Sequence, residues 1–438
     1  PLRDARFEIR HDCCSFYCVQ VCPLPGFASV ANFRRTMRPA DYRCLSWPKT
    51  ACYSSTNLEH KSKTVMTAKD KRDDIPVLVV DLDGTLIRSD TLYECFWSGL
   101  SESWLTLPAA FQGLSNGRAA LKRRLASMAH LDVEHLPYNE IVLDYIRNWR
   151  DRGGRAVLVT AADTSLAVHV AGHLKLFDEA HGSDGEINLK GVRKAAFIKE
   201  RYGDQGYAYM GDSPSDLPVW SNARRAITVD VSQALQKQVK ALETETEALS
   251  SGARPAYAKA LRPHQWLKNT LIFVPLIAAQ AFDWTVFFQV CLAFIAFSLV
   301  SSSGYVLNDL MDLRADRLHP RKSKRPLAAG HVPFAQASGM VAGLLLVGLG
   351  MATLVGPVLV AVFALYFVVS MLYSLFLKRV AVADICTLAG LYTLRVIAGG
   401  VAAGLVLSVW LLAFSMFFFF ALAAVKRQAE LVDLAGQG

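Results

Sequence analysis

Charge is missing from three long stretches of this sequence. No Asp, Glu, Lys or Arg occurs from Trp284 to Asn308, from Pro326 to Leu377 or from Val396 to Val425. Runs of that length exclude an ordinary soluble protein beyond about residue 268, since ~20 apolar residues suffice for a helix to cross a bilayer. Cysteine is scarce in the body of the chain. Six of the nine lie in the first 65 residues (Cys13, Cys14, Cys18, Cys22, Cys44, Cys52), and Cys95, Cys291 and Cys386 are scattered. That excludes a disulfide framework there. Cys14, Cys18 and Cys22 are spaced by four without a pair of Cys-x-x-Cys knuckles, so a zinc module is not indicated. A signal-peptide pattern is absent at Pro1 and at Met66. Hydrophobic periodicity is absent from residues 1–65, which are expected to be a spurious or disordered leader, with the natural start at Met66. The net charge of +9 is read as the cytoplasmic flanks of membrane spans rather than as a nucleic-acid surface.

What is present before residue 268 reads as a soluble α/β protein. Ile75 to Val80 is a Val-rich run suited to a buried parallel strand. It runs into Asp81-Leu82-Asp83-Gly84-Thr85. Carboxylates two residues apart at a strand end project the same way and can hold Mg²⁺, and Gly84 allows the turn that follows. Arg155 to Thr160 is a second apolar strand ending in a hydroxyl. Lys194 opens a helical pattern, and Lys190 competes with it for the same role. Tyr207 to Asp216 is a strand followed by an acidic cluster, Gly211-Asp212-Ser213-Pro214-Ser215-Asp216. An aspartate can attack a phosphoryl group, a neighbouring carboxyl can move the proton, and a metal with Lys and Thr can neutralise the phosphate oxygens.

These four pieces, in this order over roughly 75–230, resemble the phosphatase branch of the haloacid dehalogenase-like hydrolases. The resemblance implies Asp81 as nucleophile and Asp83 as general acid/base. It implies phosphate contacts from Thr160 and Lys194, and a metal held by Asp81, Asp83 and Asp212 with Asp216 in support. Residues 91–145 would form a helical cap. Residues 233–257, rich in Ala, Glu, Gln and Lys, predict a helical linker with a hinge at Ser250-Ser251-Gly252, placing the soluble domain at 66–232.

The remainder, 258–438, predicts six membrane helices near 268–282, 285–307, 334–354, 357–377, 384–404 and 406–426. Basic residues alternate between loops. Arg314, Arg317, Arg321, Lys322, Lys324 and Arg325 follow the second helix, Lys378 and Arg379 the fourth, and Lys426 and Arg427 the sixth. Those loops, and the N-terminal domain, are therefore expected in the cytoplasm. Asp309, Asp312 and Asp316 are spaced by three and four. On one helix they share a face, with Asn308 beside them. Carboxylates at a membrane border are costly unless used. They can hold one or two Mg²⁺ against a diphosphate while metal and basic residues stabilise it as it leaves; the alternative is a solvated, salt-bridged loop.

The run from Asn308-Asp309 through Asp312, Asp316-Arg317, His319-Pro320, Lys322 and Arg325-Pro326 to Gly330 resembles the first signature of UbiA-type prenyltransferases. Leu261-Arg262-Pro263-His264-Gln265-Trp266 resembles their entry segment, and Tyr373, Ser374, Lys378, Arg379 and Asp384 a later one. The wording is most similar to the decaprenylphosphoryl-5-phosphoribose synthases of actinobacteria. In that reaction a lipid phosphate attacks the ribosyl carbon of phosphoribosyl diphosphate. Aromatic-acceptor members carry a second aspartate-rich motif where this chain has Lys426-Arg427-Gln428-Ala429-Glu430. The resemblance implies Asp309, Asp312 and Asp316 as the catalytic, metal-holding triplet. It implies substrate contacts from Asn308, Arg317, Lys322, Arg325, Tyr373, Lys378, Lys426, Arg427 and Glu430. Arg395, mid-span, is expected to bind phosphate or to pair with Asp384 or another acid. The family has about nine helices, so a C-terminally truncated chain is expected.

The expectation is thus a two-domain chain, a Rossmann-like α/β hydrolase domain with a helical cap followed by an all-α transmembrane bundle. It would be an inner-membrane, Mg²⁺-dependent transferase of prenyl groups with a fused phosphatase. Its partners would be a polyprenyl lipid, membrane lipids and a phosphorylated or aromatic acceptor. The alternatives are a membrane-anchored phosphohydrolase or a prenyltransferase with an aromatic acceptor.

Overall fold

The computed structural model describes residues 77–435 except 130, 185–186, 253–254 and 281, and the side chains within that range except those of 379, 381, 430, 431 and 433–435. The expected leader and the start at Met66 lie outside the described residues. Val77–Val80 forms β1, buried on both faces as a central parallel strand requires. Three helices follow as the cap: α1 (Thr91–Glu102), α2 (Thr106–Ser115) and α3 (Arg118–Met128). Asp90 caps α1 by accepting the Leu92 N–H at 2.9 Å. The chain then returns through α4 (Glu140–Asp151), β2 (Arg155–Asp163), α5 (Thr164–Leu174), β3 (Glu179–Ser183), α6 (Val192–Tyr202), β4 (Ala208–Gly211), β5 (Arg225–Val229), α7 (Gln233–Lys240) and β6 (Glu245–Leu249).

The six strands are parallel in the order β3-β2-β1-β4-β5-β6. The order reverses between β1 and β4, so Asp81 and Asp212 sit together at the topological switch point, where open α/β sheets place their ligands. The linker expectation needs correction. Its first half is helical as α7, but Glu245–Leu249 pairs with β5, Arg225 opposite Glu245. The alternation of Thr and Glu there is a period-two strand pattern, and the sheet therefore continues to residue 249.

Five helices, not six, are long and apolar enough to cross a membrane among the described residues. They lie in α8 (Trp284–Met311), α10 (Phe334–Thr353), α11 (Pro357–Leu375), α12 (Ala381–Ala402) and α13 (Val409–Ala435); the short α9 (Leu313–Leu318) follows α8. The helix expected over 268–282 is instead a 3-10 segment, Pro263–Phe273, and a short helix, Val274–Ala278. Its polar atoms explain the difference. Asn269 donates to Ser298 and Ser301 at 3.0 and 3.2 Å, and Trp266 to Ser302 at 2.9 Å. The Ile272 carbonyl lies against Gly399, where a Cβ would come within 1.9 Å of it. Small residues and buried hydroxyls thus hold the segment against α8 and α12, as is usual between membrane helices. At ~1.5 Å per residue the 28 residues of α8 reach ~42 Å, beyond a ~30 Å hydrocarbon core, so an end of α8 projects from it.

Candidate functional sites in the two halves

At the switch point Asp81 begins the loop after β1. Its N–H donates to the Met210 carbonyl at 3.0 Å, continuing the β1–β4 pairing. Lys194, in the first turn of α6, reaches Asp81 Oδ1 at 2.9 Å and Asp216 Oδ1 at 3.6 Å. It also donates to the Tyr209 hydroxyl at 3.0 Å, which in turn donates to Asp216 at 2.9 Å. Lys194 is the lysine that the fold brings to Asp81; Lys190 is exposed. Oxygens of Asp81, Asp212 and Asp216 lie within 4.8 Å of one another. Gly84, at φ 77°, passes so close to Asp212 that a Cβ would stand 2.2 Å from its carboxylate. Thr160 is fully buried and its hydroxyl accepts the Ala162 N–H at 3.0 Å.

This site holds more negative charge than its one cation offsets. Burial, and then the charges of Asp81 and Asp216, push the Asp212 carboxyl well above the usual carboxylate range. Burial raises Asp81 as well, Lys194 opposing. Three converging oxygen donors carrying that surplus fit a hard divalent cation. Asp83 departs from expectation. The strand ends at Val80, so the alternation that would align Asp83 with Asp81 does not reach it. Its carboxylate turns instead to the start of α1, accepting from Thr91 N–H at 2.8 Å and the Thr91 hydroxyl at 3.1 Å. Its side chain lies outside the three-carboxylate group. Burial, then the charge of Asp90, pushes it up to about 7, suited to moving a proton near neutrality.

In the membrane half α8 ends at Met311 and α9 begins at Leu313, with Asp312 at the break. The single helix face expected for the three aspartates is therefore interrupted. Asp309 and Asp316 still converge. One Arg325 nitrogen lies 3.1 Å from Asp309 and 2.6 Å from Asp316, so both carboxylates already face one cation-sized position. Arg262 also pairs with Asp309. Asp312 faces elsewhere, to Lys378 at 2.9 and 3.1 Å. Tyr373 donates to Asp384 at 2.8 Å and Arg427 approaches Asp384 at 3.7 Å. These contacts bring the ends of α8, α11 and α13 and the start of α12 to one side of the bundle.

The other expected residues are placed as follows. Asn308 is half-buried, and its carbonyl caps the break by accepting the Asp312 N–H at 2.9 Å. Lys322 and Lys426 are exposed. The Glu430 side chain lies outside the described residues. Arg317 is committed to Glu94, at 2.6 and 3.1 Å, and to the Ala328 carbonyl at 3.2 Å. Arg395 is buried among the rings of Phe297, Tyr366 and Tyr392. It donates to Asn269 at 3.0 Å, Tyr366 at 3.0 Å and the Leu391 carbonyl. Of the two expectations for Arg395, the pairing with Asp384 or another acid is replaced by a bond to the neutral Asn269, and phosphate binding stays an expectation. Two residues were missed from sequence. Arg262 lies in the entry segment, where its place before Pro263 and a hydrophobic run is a signal. Glu94 offered none.

Known proteins share both halves. The family model for UbiA prenyltransferases matches residues 269–436, and that for haloacid dehalogenase-like hydrolases matches 78–221. An uncharacterized protein of Sinorhizobium fredii is 39% identical over 357 residues, 81% of this chain and 69% of that one. The decaprenyl-phosphate phosphoribosyltransferase of Corynebacterium glutamicum is 38% identical over 179 residues, 40% of this chain and 54% of that protein, so the chain spans little more than half its length. A solved structure of phosphoserine phosphatase in apo form aligns at 15% identity and a TM-score of 0.29, over 37% of this chain and 90% of that one. Both halves thus carry the marks of enzyme families, and the chain belongs to the UbiA prenyltransferase family as an integral membrane protein with an N-terminal haloacid dehalogenase-like hydrolase domain.

Proposed function

We propose that the membrane half transfers a polyprenyl-phosphate group to the ribosyl carbon of phosphoribosyl diphosphate, and that the soluble half is a phosphatase acting beside it. The observation that carries the transferase reading is the convergence of Asp309 and Asp316 on one positively charged position, beside the Asp312–Lys378 pair. In the reaction a lipid phosphate oxygen forms a bond to the ribosyl carbon as its bond to diphosphate breaks, and diphosphate leaves. Arg262, Arg325 and Lys378 offer positive charge where that leaving group accumulates negative charge. The carboxylates would hold Mg²⁺, which supplies charge neutralisation of the diphosphate. The relationship to the corynebacterial phosphoribosyltransferase supports the acceptor class. The basic loops favour a cytoplasmic face for the aspartates and the soluble half.

In the phosphatase, Asp81 attacks the phosphoryl group and Asp83 protonates the leaving oxygen, then takes a proton from the water that frees phosphate. Lys194 and Thr160 hold the phosphoryl oxygens, and Asp81, Asp212 and Asp216 would hold Mg²⁺. The test is an assay of the full chain in membranes, with labelled phosphoribosyl diphosphate and aromatic acceptors in parallel. Label is expected in the lipid fraction only with the former. Prenylation of an aromatic acceptor sinks the phosphoribosyl reading, and phosphate release with no lipid transfer leaves a membrane-anchored phosphohydrolase.

A further inference from the structure

We infer that Glu94, a residue of the phosphatase half, is a positioning residue for the aspartate loop of the transferase half; the inference rests on the transferase reading above. Glu94 lies in the first turn of α1, 2% exposed at its side chain, facing an Arg317 that is 8% exposed. Both carboxylate oxygens are taken by the two terminal nitrogens of Arg317, at 2.6 and 3.1 Å. This is the paired fork geometry that fixes a guanidinium in orientation as well as in place. A carboxylate this buried is costly without a partner, and its partner here stands 223 residues away in sequence, in the other half of the protein.

The contacts continue from Arg317 to the aspartates. Its third nitrogen donates to the Ala328 carbonyl at 3.2 Å. Ala328 belongs to a tight turn closed by Ala329 N–H to Arg325 O at 2.9 Å and His331 N–H to Pro326 O at 2.8 Å. That turn carries Arg325, whose guanidinium joins Asp309 to Asp316. Glu94 therefore braces Arg317, Arg317 braces the turn, and the turn delivers the cation. The contacts around it are close. Trp97, one turn along α1, donates to Ser338 at 3.2 Å and packs with Leu307, Leu310, Leu313, Leu327 and Phe334. Gly330, at φ 70°, sits where a Cβ would stand 2.7 Å from that of Arg88. The soluble half thus forms one wall of the transferase loop.

The test compares the full chain with Glu94→Gln, Glu94→Asp and Arg317→Gln, each reconstituted in lipid and checked for a single gel-filtration peak. Transfer from labelled phosphoribosyl diphosphate to polyprenyl phosphate is followed. For Glu94→Gln we expect turnover to fall about tenfold to a hundredfold, the order expected for a small misplacement of reacting groups, with KM for the lipid within about twofold. Glu94→Asp should recover a large part of the loss. The Glu94→Gln/Arg317→Gln double variant should be no worse than the poorer single one. Wild-type turnover in Glu94→Gln overturns the inference, as does a loss that Glu94→Asp does not relieve. If the wild-type chain prenylates an aromatic acceptor instead, the phosphoribosyl reading fails while the Glu94 comparison is read on that reaction.

Discussion

The two acidic sites differ in how their charge is balanced. At the soluble site three carboxylates, Asp81, Asp212 and Asp216, crowd around one lysine, and burial pushes Asp81 and Asp212 upward. In the membrane half three aspartates meet three cations, Arg262, Arg325 and Lys378. The first arrangement is short of positive charge and is built around something it must bind. The second is closed on itself, and a substrate diphosphate must compete for its cations. The soluble site should therefore depend on added metal for its stability, while the membrane site should depend on its own basic residues.

The largest effects should separate the two. Asp81→Asn is expected to lower phosphate release by at least about 10³-fold, as loss of a nucleophile does, while lipid transfer stays near the wild-type rate. A matching fall in transfer would show that the two sites do not work independently. Arg325→Ala acts on the other side. It leaves the buried Asp309 and Asp316 carboxylates short of their shared partner, at a cost of about 1–3 kcal/mol read as a lowered thermal midpoint, and it should reduce transfer without changing phosphate release. An Arg325→Ala protein of wild-type stability and transfer rate would remove the case for a self-balanced site.

A third test uses Asp83, whose carboxyl is pushed up to about 7. Protonating the leaving oxygen needs its acid form, which predominates below that value and falls about tenfold per pH unit above it. Single-turnover release of the leaving group should therefore decline as pH rises through about 7. In Asp83→Asn the rate should be lower and that limb absent. Retention of the limb would assign it to another group.

Much of this was legible in the sequence because it is local. The strand-ending motifs announced the α/β fold and the charge-free runs announced the bundle. What escaped depends on contacts between distant segments or on where an element stops. Asp83 turns away from Asp81 because β1 ends at Val80. The apolar stretch after residue 268 is not a spanning helix because Asn269 and the Ile272 carbonyl are held by serines and by Gly399. Thr244 to Leu249 resembled a helical linker by its Glu and Ala content, although its alternation suits an edge strand. Arg262 meets Asp309 across 47 residues and Glu94 meets Arg317 across 223, and neither spacing follows from a local pattern.

The smallest expected effect sharpens the contrast at the soluble site. Thr85 donates its hydroxyl to Asp212 at 3.3 Å, opposing the burial that raises this carboxyl. Thr85→Val removes that donor while nearly keeping the shape. Asp212 should then hold its proton more tightly, and protons should compete better with a divalent cation. A bond this long is worth no more than about 1 kcal/mol, so apparent Mg²⁺ affinity, read by calorimetry, should weaken about fivefold at most. The loss should shrink as pH rises and Asp212 ionises. A loss that is large and independent of pH would mean that Thr85 shapes the loop between Asp81 and Gly84 rather than tuning charge. The shortage of positive charge would then be a weaker account of why these carboxylates take up metal.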